Sequence, residues 1–216
     1  MRPSQHQSAL RCPLNDILGS EAGVRLIREL VRHGGALSTA RLAHAAGMTR
    51  FGVGKTLTLL AAIGVIEKIG SGKSILYRVE AQHPLIPAIG ALFRAEDERV
   101  DGIIDAIAKA TNDPEIVGAW IYGSFARGED TIDSDLDIAI ATTTRNIQLA
   151  DNVRSALDQA AEKLFFSPSV VDIDLADVER LSTGDPWWTN LVKEAIVVKG
   201  ERPEIVAKHR RVKAHG

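Results

Sequence analysis

The stretch Gly123–Ile140, GSFARGEDTIDSDLDIAI, follows an apolar run from Ile116 to Tyr122 (IVGAWIY) and limits the fold more than any other part of the chain. The run is rich in β-branched and aromatic residues, the composition of a buried strand. Such a strand delivers Gly123 and Ser124 to a turn. Glycine lets the backbone approach a ligand closely, and a helix beginning at Ser124 points unpaired N–H groups at an anion. With Arg127 close by, the turn reads as a phosphate seat. After a polar turn at Asp133 and Ser134, DLDIAI alternates as a second strand with Asp135 and Asp137 on one face. Two carboxylates side by side on a rigid strand suit a hard divalent cation such as Mg²⁺, which takes oxygen ligands and leaves positions for phosphate and water.

Gly123, Ser124, Gly128, Ser134, Asp135 and Asp137 stand at the spacing GSxxxG…SDxD. In this they resemble the DNA polymerase β-like nucleotidyltransferase superfamily, most closely its minimal branch. The resemblance implies a nucleoside triphosphate, most often ATP, held at Gly123, Ser124, Arg127 and Ser134. It also implies two Mg²⁺ ions on Asp135, Asp137 and a third carboxylate from a later strand. The candidate strand is SVVDIDLADV, Ser169 to Val178, where Asp172 and Asp174 alternate with apolar residues. The family's later strand often reads VDLVDL, and IDLADV aligns with it best. Asp174 is therefore the expected ligand and Asp172 the second choice. The implied reaction moves AMP to an acceptor hydroxyl with loss of pyrophosphate. Minimal members often modify or bind a HEPN-type toxin, which makes a partner protein the expected acceptor.

The first 80 residues read differently. Ser20 caps an amphipathic helix with Val24, Leu26, Ile27, Leu30 and Val31 on its apolar stripe, ending at Gly34-Gly35. A shorter helix follows in STARLAHAAGM, and Thr49 caps a third running to about Ile66. Alternating residues on either side of Gly70-Ser71-Gly72-Lys73 then predict a β-hairpin. This order resembles a bacterial winged helix-turn-helix regulator module. The resemblance implies double-stranded DNA as partner, with Thr49, Arg50, Lys55 and Thr56 near the major groove and Lys68, Lys73 and Arg78 at phosphates. Charge agrees with the division: Lys and Arg outnumber Asp and Glu by 11 to 5 in residues 1–80 and fall short by 15 to 23 thereafter. Gly54-Lys55-Thr56 is not a P-loop, because Thr49 stands where that loop needs glycine.

The expected architecture is α+β in two domains: a winged helix over 12–80 and a mixed nucleotidyltransferase sheet with flanking helices over 116–204. Residues 81–115 are read as a linker and connecting helix, with the two prolines of EAQHPLIPAIG marking the joint. Asn146–Phe165 is a further amphipathic helix, and AIVVKG a closing strand. Trp187 and Trp188 are adjacent and cannot both point inward, so a core tryptophan with a half-buried neighbour is expected, the alternative being a surface contact for a base or a partner protein. Residues 205–216 are read as a loose basic tail. Cys12 is the single cysteine and makes neither an internal disulfide nor a cysteine zinc site. No apolar run reaches the length of a membrane span, so a cytoplasmic location is expected, and analogy with winged-helix regulators implies a homodimer. Two competing functions are a regulator that senses nucleotide without turnover and a drug-modifying transferase. The second is disfavoured by the short stretch after the third acidic strand.

Overall fold

The computed structural model describes residues 11–72 and 74–214, with side chains through Arg210. Lys73, expected at the hairpin tip, lies outside the described residues. The chain is α+β and divides into two compact units, one ending at Glu96 and the other beginning at Asp97.

In the first unit a short turn α1 (Leu14–Ile17) leads into α2 (Glu21–His33). The Ser20 hydroxyl caps α2 by accepting the Gly23 N–H at 3.1 Å, and Gly34 at φ 67° ends it. A two-residue strand β1 (Leu37–Ser38) precedes α3 (Thr39–Ala45) and α4 (Arg50–Ala62). Helix α4 stops four residues earlier than its apolar run predicts. Gly64 turns the chain at φ 75°, and Ile66 opens β2 (Ile66–Ile69), which pairs antiparallel with β3 (Leu76–Val79). β1 adds to the far edge of β3, giving the order β1-β3-β2. Leu26, Ile27 and Leu30 of α2 meet Val53, Leu57 and Leu60 of α4, all at most 1 % exposed. Ile89 and Phe93 from the start of α5 (Ile86–Ala110) close the same core. The prolines that suggested a joint stand before α5 and in its first turn, where proline is tolerated because the first N–H groups have no helical partner.

The second unit is built on a four-stranded sheet of order β6-β5-β4-β7. Its strands are β4 (Ile116–Tyr122), β5 (Leu136–Thr142), β6 (Pro168–Asp174) and β7 (Ile196–Gly200). The helices, in chain order, are α6 (Gly123–Arg127), α7 (Ile147–Leu164), α8 (Leu175–Leu181), α9 (Pro186–Glu194) and α10 (Pro203–Ala214). β4 runs antiparallel to β5 and β7, whereas β5 and β6 are parallel through the crossover α7. Alternation along β5 separates two cores. Ile138 and Ile140 pack with Ile103 and Ile107 from the end of α5 and with Val153 and Leu157 of α7. Ala139 and Ala141 face the other side, where Trp120, Ile173, Val178, Trp188 and Leu191 gather. Small residues are needed there because the buried Trp120 indole fills the space over the sheet and donates its Nε1–H to the Glu201 carbonyl at 2.8 Å.

The closing strand and the tryptophan pair are as expected. Trp188 is buried, while Trp187 is half-buried and edge-on to the Tyr122 ring, with centroids 5.7 Å apart. The expected loose tail is instead helix through Ala214, anchored by buried Val206 and Ala207 against the second core. Among the described residues no helix is long and apolar enough to cross a membrane.

Candidate active site

The site forms at one end of β4 and β5, where their antiparallel register sets Tyr122 opposite Asp137. Gly123 follows directly and begins α6 at φ 75°. Its backbone presses on Asp137 so closely that a Cβ there would overlap the carboxylate Oδ2 and stand 3.0 Å from Cγ. A glycine is thus required twice, for the left-handed conformation and for the close approach. α6 closes at Gly128, φ 67°, after which the chain turns back to β5. Ser134 pins that turn: its hydroxyl accepts the Thr131 N–H at 2.9 Å and its own N–H donates to the Thr131 carbonyl. Asp135 then precedes β5 and Asp137 lies inside it.

Burial pushes the Asp137 carboxyl above the ordinary carboxylate range, and the charge of Asp135 pushes it further. Arg127 offsets part of this and Glu194 adds to it. Such crowding of negative charge is what a cation relieves, and a pair of carboxylates completed by substrate phosphates is an ordinary magnesium donor set. Asp135 and Asp137 therefore fit a divalent cation. Among the described residues no three of His, Cys, Asp and Glu stand together in an arrangement that could hold a metal.

The expected third ligand is corrected by the sheet register. Parallel pairing puts Asp137 opposite Ser169, Ile140 opposite Asp172 and Thr142 opposite Asp174. Asp174 is thus five residues, about 16 Å, along the strand from the position beside Asp137. Its Oδ1 accepts the Asp177 N–H at 2.8 Å, which makes it the N-cap of α8. Asp172 fares no better, since it shares the face of Ile140 and is paired with Arg154 of α7. The positions that share Asp137's face are Ser169, Val171 and Ile173.

Glu194, the last residue of α9, is the site residue that the sequence reading missed. Its Oε2 accepts the Gly123 N–H at 3.1 Å and a guanidinium N–H of Arg127 at 2.8 Å, with the side chain 13 % exposed. Arg127 also donates to Glu129 at 2.7 Å. A carboxylate thus already occupies the backbone N–H and the arginine that were expected to hold phosphate. No local signal marks Glu194, which lies 71 residues from Gly123.

In the first unit, Arg50 and Lys55 are exposed on α4 and Lys68 on β2. Thr49 and Thr56 are engaged locally: Thr49 Oγ1 accepts the Gly52 N–H at 3.2 Å, and the Thr56 hydroxyl donates to the Gly52 carbonyl at 3.0 Å.

No curated protein matches the chain. Among solved structures it is similar to a toxin–antitoxin crystallised with AMP-PNP, at 24% identity and a TM-score of 0.32 over 53% of this chain and 86% of that one. Two mutants of the toxin–antitoxin MntA-HpeT are also similar: one at 20% identity and a TM-score of 0.29 over 56% of this chain and 86% of that one. The other shows 24% identity and a TM-score of 0.30, over 56% and 85%. Residues 104–183, from within α5 to just past α8, match the family model described as Polymerase beta, Nucleotidyltransferase, which assigns a nucleotidyltransferase domain to that stretch.

Proposed function

We propose that the second unit transfers a nucleoside monophosphate, AMP from ATP, to a hydroxyl on a partner protein, and that the first unit binds double-stranded DNA. The observation that carries the transferase reading is the convergence of an anion seat, Gly123 N–H with Arg127, on the paired carboxylates Asp135 and Asp137. Glu194 in that seat stands in chemically for a phosphate oxygen. An incoming triphosphate takes over the Gly123 N–H and the Arg127 guanidinium, and Glu194 leaves them. Asp135 and Asp137 would hold Mg²⁺, which supplies charge neutralisation for the phosphates and the departing pyrophosphate. Ser124 orients the phosphates, while Ser134 keeps the turn that presents Asp135. In the reaction the acceptor oxygen bonds to the α-phosphorus, the bond from that phosphorus to the bridging oxygen breaks, and pyrophosphate leaves with the electron pair. The hydroxyl proton passes to a carboxylate of the site.

For the first unit we infer a winged helix-turn-helix in which α4 enters the major groove. Arg50 and Lys55 reach toward it, and Lys68 meets phosphate from the hairpin. The family resemblance adds a HEPN-type toxin as acceptor and a homodimer as the DNA-binding form. One observation favours the second reading, a regulator that senses nucleotide without turnover: neither Asp172 nor Asp174 joins the carboxylate pair.

The test is incubation of the full chain with α-labelled ATP, GTP, CTP and UTP in lysate, with and without Mg²⁺, beside an Asp135→Ala, Asp137→Ala double variant. Metal-dependent label on a macromolecule, absent from the variant, supports the transferase. Nucleotide binding that changes affinity for DNA with no label transferred supports the sensor instead.

A further inference from the structure

On the side of the second unit opposite Trp120, a groove of about 960 Å³ opens beside Asp135. Ser134 and Asp135 line it, but Gly123, Ser124 and Asp137 do not. Its floor is apolar, formed by Ile103, Phe125 and Phe166. Two large apolar side chains stand at its edge in water: Ile132 is 100 % exposed and Phe165 is 83 % exposed. Phe165 is moreover the one non-glycine residue with positive φ among the described residues, at 54°. Arg99 fixes that conformation by donating to the Leu164 carbonyl at 2.8 Å and to the Phe165 carbonyl at 2.5 Å. Phe165 also caps the C-terminus of α7, its N–H donating to the Ala161 carbonyl at 2.8 Å, so the backbone that carries the exposed ring is fixed while the ring itself stays in water at a cost in apolar hydration.

Charge decides what the groove accepts. Asp130, Asp133, Asp158 and Glu162 rim it and Asp135 adds a fifth carboxylate, against the single guanidinium of Arg99. A nucleic-acid strand or a second triphosphate would be repelled. A cationic polypeptide with apolar side chains is complementary on both counts, since its lysines or arginines meet the rim and its apolar residues meet Ile132, Phe165 and the floor. We propose that this groove docks a basic, apolar-studded polypeptide segment and presents that segment's hydroxyl to the nucleotide at Asp135. The proposal rests on the transferase reading for the second half of its claim. The docking half stands on the groove alone.

The test uses the full chain and a fluorescein-labelled peptide in which lysine alternates with leucine around one serine and one tyrosine. A control peptide carries glutamate in place of lysine. Anisotropy is expected to show binding of the basic peptide and none of the acidic one. A Asp158→Lys, Glu162→Lys double variant should weaken binding roughly tenfold or more, and Ile132→Ser severalfold. Both variants lie on the surface, and ATP affinity measured in parallel should match the parent chain. With Mg²⁺ and α-labelled ATP, label is expected on the basic peptide. Equal binding of the two peptides, or binding indifferent to all three substitutions, overturns docking while ATP binding still stands. Label on an RNA 3′ hydroxyl in preference to the peptide, or self-association lost in Ile132→Ser with the peptide ignored, also overturns it. If the parent chain docks the peptide but binds no ATP, the transferase reading fails and the acceptor role with it, while docking is upheld.

Discussion

Replacing Gly123 by alanine tests the site at its tightest point, and Gly128→Ala supplies the control. Both glycines sit in the left-handed region, at φ 75° and 67°. An L-residue pays about 1–2 kcal/mol for that conformation at either position. The surroundings differ. A Cβ at Gly128 meets nothing within 4 Å, whereas one at Gly123 overlaps Asp137 Oδ2. Asp137 must then leave its rotamer, which adds about 0.5–1.5 kcal/mol. Gly128→Ala should therefore cost about 1–2 kcal/mol and Gly123→Ala about 1.5–3.5 kcal/mol. At roughly 2–4 °C per kcal/mol, the two melting temperatures should differ by about 1–6 °C, followed by circular dichroism without metal.

Ligand binding separates the variants more sharply. In Gly123→Ala the carboxylate that would hold the cation is displaced, so calorimetric titration with ATP in Mg²⁺ should show affinity reduced at least about tenfold, equivalent to about 1.4 kcal/mol. Gly128→Ala should bind within a factor of about two of the parent. Removing the obstructing carboxylate in Gly123→Ala, Asp137→Ala leaves only a Cβ 3.3 Å from the new methyl, so stability should return toward the Gly128→Ala level without restoring affinity. Equal melting temperatures and equal affinities for the two single variants would refute the reasoning, since only contact with Asp137 distinguishes them.

Three further outcomes are expected. The folded Asp137 carboxyl titrates above its ordinary value of 3.8, so the folded state binds more protons than the unfolded and loses stability as pH rises from 3.8 through the raised value. Metal-free Asp137→Asn should accordingly melt higher than the parent at neutral pH, with the advantage vanishing below that window; a variant that melts lower at neutral pH contradicts the crowding argument. Glu194→Gln should tighten ATP binding severalfold, because a neutral amide competes less well than a carboxylate for Gly123 N–H and Arg127; weakened binding would show that Glu194 supports the nucleotide instead of excluding it. Leu57→Ala, fully buried between α2 and α4, should cost the first unit about 2–5 kcal/mol in urea unfolding, and a loss under about 1 kcal/mol would mean that this core is not the one described.

What could be read of the site from the sequence was whatever is decided between Ile116 and Thr142. β4, the Gly123 turn, the Ser134 turn and β5 lie in that span, and antiparallel pairing of neighbours leaves little freedom, so the juxtaposition of Asp135 and Asp137 is legible in the sequence. The third carboxylate was not, because alternation says that Asp172 and Asp174 share a face without saying which face. That choice is made by the parallel register across α7, where Ile173 is drawn to the alanine side of β5 and both acids are carried away from Asp137. The helical tail was hidden for a related reason. Charge dominates EIVAKHRR, and only the position of the second core shows that Val206 and Ala207 have something to bury against.

Glu194 shows where local reading ends and what it leaves open. The motif positions an N–H and a guanidinium that can receive any anion, and nothing within it states which anion arrives first. In the folded chain α9 answers by delivering a carboxylate of its own, already hydrogen-bonded to both donors. Under the proposed function a nucleotide must therefore bind more strongly than an intramolecular competitor, bringing several charges together with the cation that Asp135 and Asp137 would hold. On that proposal the seat would select a metal-bound triphosphate over inorganic phosphate, a preference produced by a helix end far away in sequence and not by the motif itself.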